Sequence, residues 1–174
     1  MKTKTEMTKI RLPNKSTMDS ILDQWKKVRP DLDPTPMAIC GDVWRAGHFL
    51  NQGVLENCKN YQLDFPGLDL LLTLRRQGVE KTRTPKELAE DMMLSSAAMT
   101  NRLDRLEKRN LLVREADPED RRSLKVRLTE EGIKLADEVV VSHIETENRL
   151  LSALDKEEQH QLRILLTKLY SNRD

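Results

Sequence analysis

Two closely spaced helix starts and a short alternating strand, all within residues 84–128, most constrain how this chain can fold. Thr84 can cap the first helix, and Glu87 three residues later completes a capping box. A second helix begins at Ser95 or Ser96 and continues to about residue 109, so the connection between the two helices is very short. The pattern predicts two short helices joined by a tight turn.

A β-hairpin is predicted directly after the second helix. Leu124, Val126 and Leu128 alternate with polar residues, which is the pattern of a half-buried strand. An apolar segment precedes it, and an Asp-Pro turn that begins at Asp117 separates the two. Helix, turn, helix and hairpin in this order predict a winged helix-turn-helix, in a mainly α chain with a small β-hairpin wing.

Helical patterns flank this unit on both sides. Aromatic residues make up only 3% of the chain, so the core must consist mostly of Leu, Val, Met and Ala, as in helical proteins. Pro30 ends one predicted helix and Gly78 ends another, while Thr129 and Asp155 cap two more. The predicted organisation is a flexible basic N-terminus at 1–15, an extra N-terminal helix at 16–30, a helical dimerisation region at 31–62 and 129–174, and a winged DNA-binding lobe at 63–128.

The second helix of the pair has two different faces. Met99, Leu103 and Leu106 fall on one side, which should pack inward. The opposite face is small and polar in its first turns and basic further on, which suits base edges and then phosphates. The candidate DNA-binding residues on this helix are Ser95, Ser96, Ala97, Thr100, Asn101, Arg105 and Lys108. An ordinary amphipathic surface helix is the alternative.

The hairpin tip carries Arg121 and Arg122 side by side. An arginine at such a tip can enter the minor groove beside the recognition helix, where the negative potential is concentrated. The nearby acids have structural interpretations: Asp117 starts the turn, and Asp120 orients an arginine by pairing with it. The alternative is a solvated charged turn, which the preceding helix-turn-helix disfavours.

Charge is unevenly distributed along a chain whose formal net charge is only +1. Residues 1–16 contain five Lys or Arg against one acid, residues 95–128 nine against six, and residues 129–174 six against ten. This distribution indicates one basic working surface and a less basic C-terminal region.

Other functional classes find little support. His48, His143 and His160 are scattered without metal-ligand spacing, and the sequence has no glycine-rich phosphate loop and no nucleophile motif. We therefore expect no enzyme, no cofactor and no metal. We interpret Cys40 and Cys58 as small buried thiols, with a redox-sensing thiol as the alternative. Since no apolar run could span a membrane, we expect a soluble, cytoplasmic, nucleoid-associated bacterial protein.

A resemblance to a known family strengthens the DNA-binding interpretation. Asp120-x-Arg122, followed after five residues by Leu128-Thr129 and after two more by Gly132, resembles the wing motif of the MarR family of bacterial transcription regulators. The segments "QWKKVRPDLDPTPM" and "GLDLLLTLRRQG" resemble its PecS-like, urate-responsive branch, which has an extra N-terminal helix bearing a tryptophan. The resemblance covers roughly residues 36–170 and implies a homodimer that binds double-stranded DNA at a palindromic operator.

The same resemblance implies a small-molecule effector, such as urate or a phenolic acid, that relieves repression. Trp25 and Asp69 match the effector-binding residues of that branch. We add Arg102, which the helical wheel places on the inward flank of the recognition helix, and Arg45 at a possible pocket edge. Asp69 interrupts an apolar run, so we expect a buried carboxylate that is paired, with Arg102 as its partner.

Two alternatives remain at this stage. The chain could be a constitutive DNA-binding regulator in which Trp25 and Asp69 are purely structural. It could also be a helical dimeric interaction module whose wing contacts another protein.

Overall fold

The computed structural model describes residues 15–78, 82–117 and 123–171. These residues form seven α-helices and one antiparallel pair of strands. The elements are α1 (Lys15–Val28), α2 (Thr35–Asn60), α3 (Phe65–Arg76), α4 (Pro85–Asp91), α5 (Ser96–Lys108), β1 (Leu112–Ala116), β2 (Leu124–Leu128), α6 (Glu130–Leu150) and α7 (Lys156–Ser171). The chain divides into two compact units, one ending at Phe49 and one beginning at Leu50, and α2 contributes to both.

The first unit consists of α1 and the first half of α2. The extra N-terminal helix is present and ends at Val28, shortly before Pro30, as the sequence predicts. The Asp33 carboxylate starts α2 by accepting hydrogen bonds from the main chain and the hydroxyl of Thr35, at 3.0 and 2.7 Å. A Cβ on Gly41 would lie 2.7 Å from the terminal methyl of Met18, so the two helices approach closely there.

The second unit contains the core. Apolar side chains from α3, α4, α5, the hairpin and α6 pack into one cluster, joined by the end of α2. Its fully buried large members include Leu68, Leu70, Leu71, Leu88, Met99, Leu103, Leu106, Leu112, Val126 and Val139. Few aromatic rings take part, which agrees with the expectation of an aliphatic core.

The predicted helix-turn-helix is confirmed by its capping contacts. The Thr84 hydroxyl accepts from the main chain of Glu87 at 3.2 Å, and the Glu87 carboxylate accepts from the main chain of Thr84 at 2.8 Å. The Ser95 hydroxyl accepts from the Ala98 amide and caps α5. Between the helices, Met93 adopts a left-handed backbone with φ +53°, which reverses the chain within a few residues.

The hairpin pairs β1 with β2 in the register Leu112↔Leu128 and Ala116↔Leu124. Val126 and Leu128 are buried, as their alternation predicts. The prediction is wrong for Leu124, which is 46% exposed. Leu124 pairs with Ala116 at the end of the ladder farthest from the helices, where the core no longer lies beneath the sheet.

Gly132 joins the wing to α6 at a point of very close approach. Thr129 caps α6 by accepting from the Gly132 amide at 3.0 Å, and its own amide donates to the Leu111 carbonyl at 3.1 Å. A Cβ on Gly132 would overlap the Leu111 carbonyl. The Leu-Thr-x-x-Gly part of the sequence motif therefore has a steric basis.

The last two helices differ in how much apolar surface they bury. α6 ends at Leu150 and buries Ala136 and Val139. α7 begins after the predicted Asp155–Glu158 capping box, with main-chain to carboxylate distances of 2.8 and 2.9 Å, and buries no residue. Over residues 15–78, 82–117 and 123–171, none of the helices has the length and apolar character needed to cross a membrane.

Candidate DNA-binding surface

Helix α5 is built as the sequence predicts. Met99, Leu103 and Leu106 are buried against the core, whereas Ala97 and Asn101 are exposed on the opposite side. The exposed set on α5 and its cap consists of Ser95, Ser96, Ala97, Thr100, Asn101, Arg105 and Lys108. The seven candidate positions therefore all face solvent.

Hydrogen bonds already restrict several of these side chains. The Thr100 hydroxyl donates to the Ser96 carbonyl at 2.9 Å, so its hydrogen is engaged and its oxygen can only accept a further hydrogen bond. Arg105 donates to the Asp64 carboxylate at 2.6 Å, so this candidate phosphate contact is held against the start of α3. Within the described part of the chain, the side chains of Asn101 and Lys108 have no hydrogen-bonded partner.

Arg114 braces the wing against α5. Its guanidinium on β1 donates to the Glu107 carboxylate, with an Nε–Oε2 distance of 3.0 Å, and to Asp104 at 2.7 Å. The hydrogen bond from Arg114 lowers the pKa of Glu107 below its usual range. Sequence reasoning missed this cluster. The signal was the i, i+3 spacing of two acids on α5, followed by an arginine on the next strand.

The hairpin tip itself, with Asp120, Arg121 and Arg122, lies outside the described residues. At its base, Asp117 is nearly buried, its amide donates to the Ser123 carbonyl at 2.9 Å, and its carboxylate pairs with Lys125 at 3.1 Å. These contacts hold the two strands together where the turn begins.

Asp69 and Arg102 meet as predicted. The Arg102 guanidinium donates to the Asp69 carboxylate at 3.1 Å and so links α5 to α3. The expectation that Asp69 is buried is wrong: its side chain is 43% exposed, while that of Arg102 is 20% exposed. Asp69 lies at the edge of the apolar face of α3, so its carboxylate reaches solvent while its main chain remains helical.

A cleft of about 460 Å³ lies beside this ion pair, between the start of α3 and the second half of α5. Its lining is apolar at Leu63 and Leu106 and basic at three arginines and a lysine: Arg102, Arg105, Lys108 and Arg109. Arg109 is fixed by donating to the Tyr61 and Gln62 carbonyls, at 3.0 and 2.7 Å. The lining also includes Asp64, whose carboxylate pairs with Arg105, so an anion with an apolar body would have to compete with these partners for the arginines.

The other two candidate effector residues lie in the first unit. Trp25 is 42% exposed on α1, and Arg45 on α2 pairs with Asp42 at 3.5 Å. Their roles remain predictions.

Neither a redox role nor a metal role gains support from the described residues. Cys58 is buried as expected, and burial raises the pKa of its thiol, which disfavours the reactive thiolate. The expectation is wrong for Cys40, which is exposed because it lies on the outer side of α2. The described ranges contain no cluster of three or more His, Cys, Asp or Glu side chains suited to a metal ion.

Comparisons with known proteins agree with this architecture. The MarR family model matches residues 66–124, which span α3, the helix-turn-helix and most of the hairpin. The HTH-type transcriptional regulator PecS of Dickeya dadantii (strain 3937) is 36% identical over 152 residues, covering 87% of this chain and 92% of that protein. Among solved structures, a probable transcriptional regulator from Pseudomonas aeruginosa is 25% identical with a TM-score of 0.67, covering 75% of this chain and 96% of the other. The Staphylococcus aureus MepR–DNA complex is 27% identical with a TM-score of 0.64, covering 72% and 90%.

Proposed function

This chain belongs to the MarR family of transcriptional regulators, and on that premise we propose that it is a homodimeric repressor that binds a palindromic operator and releases it on binding a small ligand. The observation that carries the proposal is the division of α5. Its apolar side is fixed in the core, and its first turns present Ala97, Thr100 and Asn101 to solvent. A helix placed in this way after a short turn can enter the major groove.

A second copy of the chain would complete the DNA-binding unit. The apolar stripe of α7, which includes Leu165 and Leu169, is exposed in the single chain, and stripes of this kind usually mark an interface. A two-fold dimer would place two α5 helices about 34 Å apart, one turn of DNA. In that arrangement we propose that Arg121 and Arg122 reach the minor groove, with Asp120 orienting them.

The proposed ligand response rests on the Asp69–Arg102 pair. This pair joins the recognition helix to α3, and Arg102 also lines the basic cleft. An aromatic or anionic ligand such as urate or a phenolic acid would compete with Asp69 for Arg102 and shift α5. Such a ligand weakens operator binding only if it prefers the released conformation. Trp25 is proposed as a further ligand contact on the strength of the branch resemblance alone, and Arg45 for its place on the first long helix at a possible pocket edge.

Salt dependence tests the DNA-binding part of the proposal. Phosphate contacts release counterions, so the logarithm of the binding constant should fall linearly with the logarithm of salt concentration. A genomic footprint of the purified protein would supply the operator for this titration. Replacing Lys108 with Gln should reduce the salt slope by about one. A chain that binds no duplex, or binds without salt dependence, would instead be the helical interaction module.

Operator titrations with and without ligand test the effector part. We expect urate or a related aromatic acid to weaken operator binding of the wild type by about tenfold. A change of this size corresponds to a coupling free energy in the range typical of allostery. Asp69→Asn should abolish this response because it removes the ion pair that the ligand would disturb. Asp137→Asn should retain the response. This control removes the ion pair between Asp137 and Arg75, whose Oδ1–Nε distance is 2.6 Å and which does not line the cleft. Equal operator affinity with and without every ligand tested would leave a constitutive regulator.

A further inference from the structure

The Asn101 side-chain amide is an exposed group on α5 that carries a donor and an acceptor on two separate atoms, whereas the exposed Ser96 carries both on one hydroxyl oxygen. It lies one helical turn after the exposed methyl of Ala97. No group in residues 15–78, 82–117 or 123–171 is hydrogen-bonded to this amide. An amide at an exposed helical position needs no hydrogen-bond partner within the protein, so it is free to bond to a group of another molecule.

Three neighbouring polar side chains on α5 are already engaged within the chain. Thr100 has directed its hydroxyl hydrogen to the Ser96 carbonyl, Arg105 pairs with the Asp64 carboxylate, and Asp104 accepts from Arg114. Lys108, which is also unpaired, offers donors only and is suited to a phosphate. Of the exposed α5 side chains without a partner in the described ranges, Asn101 alone holds a donor and an acceptor on separate atoms, as a bidentate contact to one base requires.

The chemistry of an amide selects one base in the major groove. Adenine presents an acceptor at N7 and a donor at N6, which match the amide donor and acceptor of an asparagine. Guanine presents two acceptors there, cytosine a donor, and thymine an acceptor beside a methyl group. The methyl of Ala97 complements that thymine methyl, so the two side chains together match a stretch of A·T pairs.

We propose that Asn101 reads an adenine in each operator half-site through N6 and N7, while Ala97 contacts a thymine methyl at an adjacent pair. This inference deepens the proposed function and rests on it, since α5 must enter the major groove. Under two-fold symmetry the adenine recurs once in each half-site, on opposite strands. Thr100, whose hydroxyl hydrogen is engaged by the Ser96 carbonyl, can only accept a further hydrogen bond.

Selection from a randomised DNA pool with the full-length protein tests the proposal. The wild type should enrich adenine at one symmetric position in each half-site. Asn101→Ala should lose that preference, a loss of discrimination of about tenfold or more, while preferences elsewhere in the half-site persist. The substitution is at an exposed helical position and replaces Asn with a better helix former, so the fold should persist. Lys108→Gln is the matched comparison and should weaken all sequences by a similar factor.

An atom-level substitution in the DNA provides an independent readout. Replacing the selected adenine with 7-deazaadenine removes the N7 acceptor and leaves pairing intact. We expect wild-type affinity to fall by about fivefold or more and Asn101→Ala to be indifferent, since only the wild type makes that bond.

The two proposals fail in different ways. An adenine preference that survives in Asn101→Ala, or a wild type indifferent to 7-deazaadenine, would overturn the assignment of Asn101 and leave DNA binding in place. A selection that enriches no sequence, combined with salt-independent binding to every duplex, would overturn both.

Discussion

Helices α5 and α7 have similar sequence patterns and opposite environments. Each is amphipathic with a stripe of large apolar side chains on one side. In α5 the stripe of Met99, Leu103 and Leu106 is buried, whereas α7 leaves Leu165 and Leu169 in solvent. An apolar stripe thus fixes which side of a helix is covered, but the rest of the fold decides what covers it.

The difference assigns the two helices to different tasks. Because α5 is fixed by its own chain, its other face can be held rigidly toward a ligand such as DNA. α7 has no intrachain surface to bury its stripe among the described residues, which supports the proposed second copy as its partner. On this view the stability of α5 should be independent of protein concentration, and that of α7 should depend on it.

The largest expected effect tests the α5 side of this contrast. Leu103→Ala removes a fully buried side chain from the core and should lower the free energy of unfolding by about 2–5 kcal/mol. Denaturant unfolding at several protein concentrations would measure it. The loss should be similar when the protomer concentration is varied. A loss below 1 kcal/mol would mean that α5 is less firmly packed than its burial indicates.

A smaller effect is expected for α7, and it should differ in kind. Leu165→Glu places a charge in the exposed stripe and should weaken association by about 2–3 kcal/mol, or roughly a hundredfold in the dissociation constant. Sedimentation equilibrium would show the shift toward monomer. Gln161→Glu, at a polar position of the same helix, adds the same charge as a control. Unchanged association in Leu165→Glu would remove α7 from the interface.

The smallest expected effect tests the contact that holds α5 to the wing. The pKa of Glu107 is lowered in the folded chain by the hydrogen bond from Arg114. Its contribution to stability should therefore be complete above the ordinary glutamate range and should vanish as pH falls through the lowered pKa. Since the carboxylate is about a third exposed, we expect Glu107→Gln to cost about 1 kcal/mol at neutral pH and almost nothing in strong acid. A difference that stayed constant across that range would exclude the ion pair as its source.

The sequence predicted the features of this fold that depend on neighbouring residues. Thr84, Thr129 and Asp155 start helices through contacts only three residues long, and these contacts can be recognised without knowing the fold. The orientation of α5 was also predictable, because helical periodicity fixes which residues share a face. Family resemblance then supplied the dimer and effector expectations, which no single chain can show.

Contacts between distant residues were harder to predict. The Arg114 brace depends on how the hairpin folds back on α5, and Asp64 meets Arg105 across 41 positions of sequence. The Asp69–Arg102 pair was predicted from wheel geometry, yet the exposure of Asp69 was not, because the edge of an apolar helix face depends on what packs beside it. Leu124 illustrates the same limit: alternation locates a strand but does not show where the core beneath it ends.

The steric fit at Gly132 has a mechanical consequence. Because the Leu111 carbonyl occupies the space of a missing side chain, the end of the recognition unit and the first turn of α6 cannot slide past each other. α6 can then be treated as a rigid rod that pivots at Gly132. It has 21 residues and is about 30 Å long, so displacing its far end by about 3 Å would turn the joined lobe by roughly 5°. In this geometry a small displacement at the far end of α6 would change the orientation of the helix-turn-helix and hairpin that meet it at Gly132.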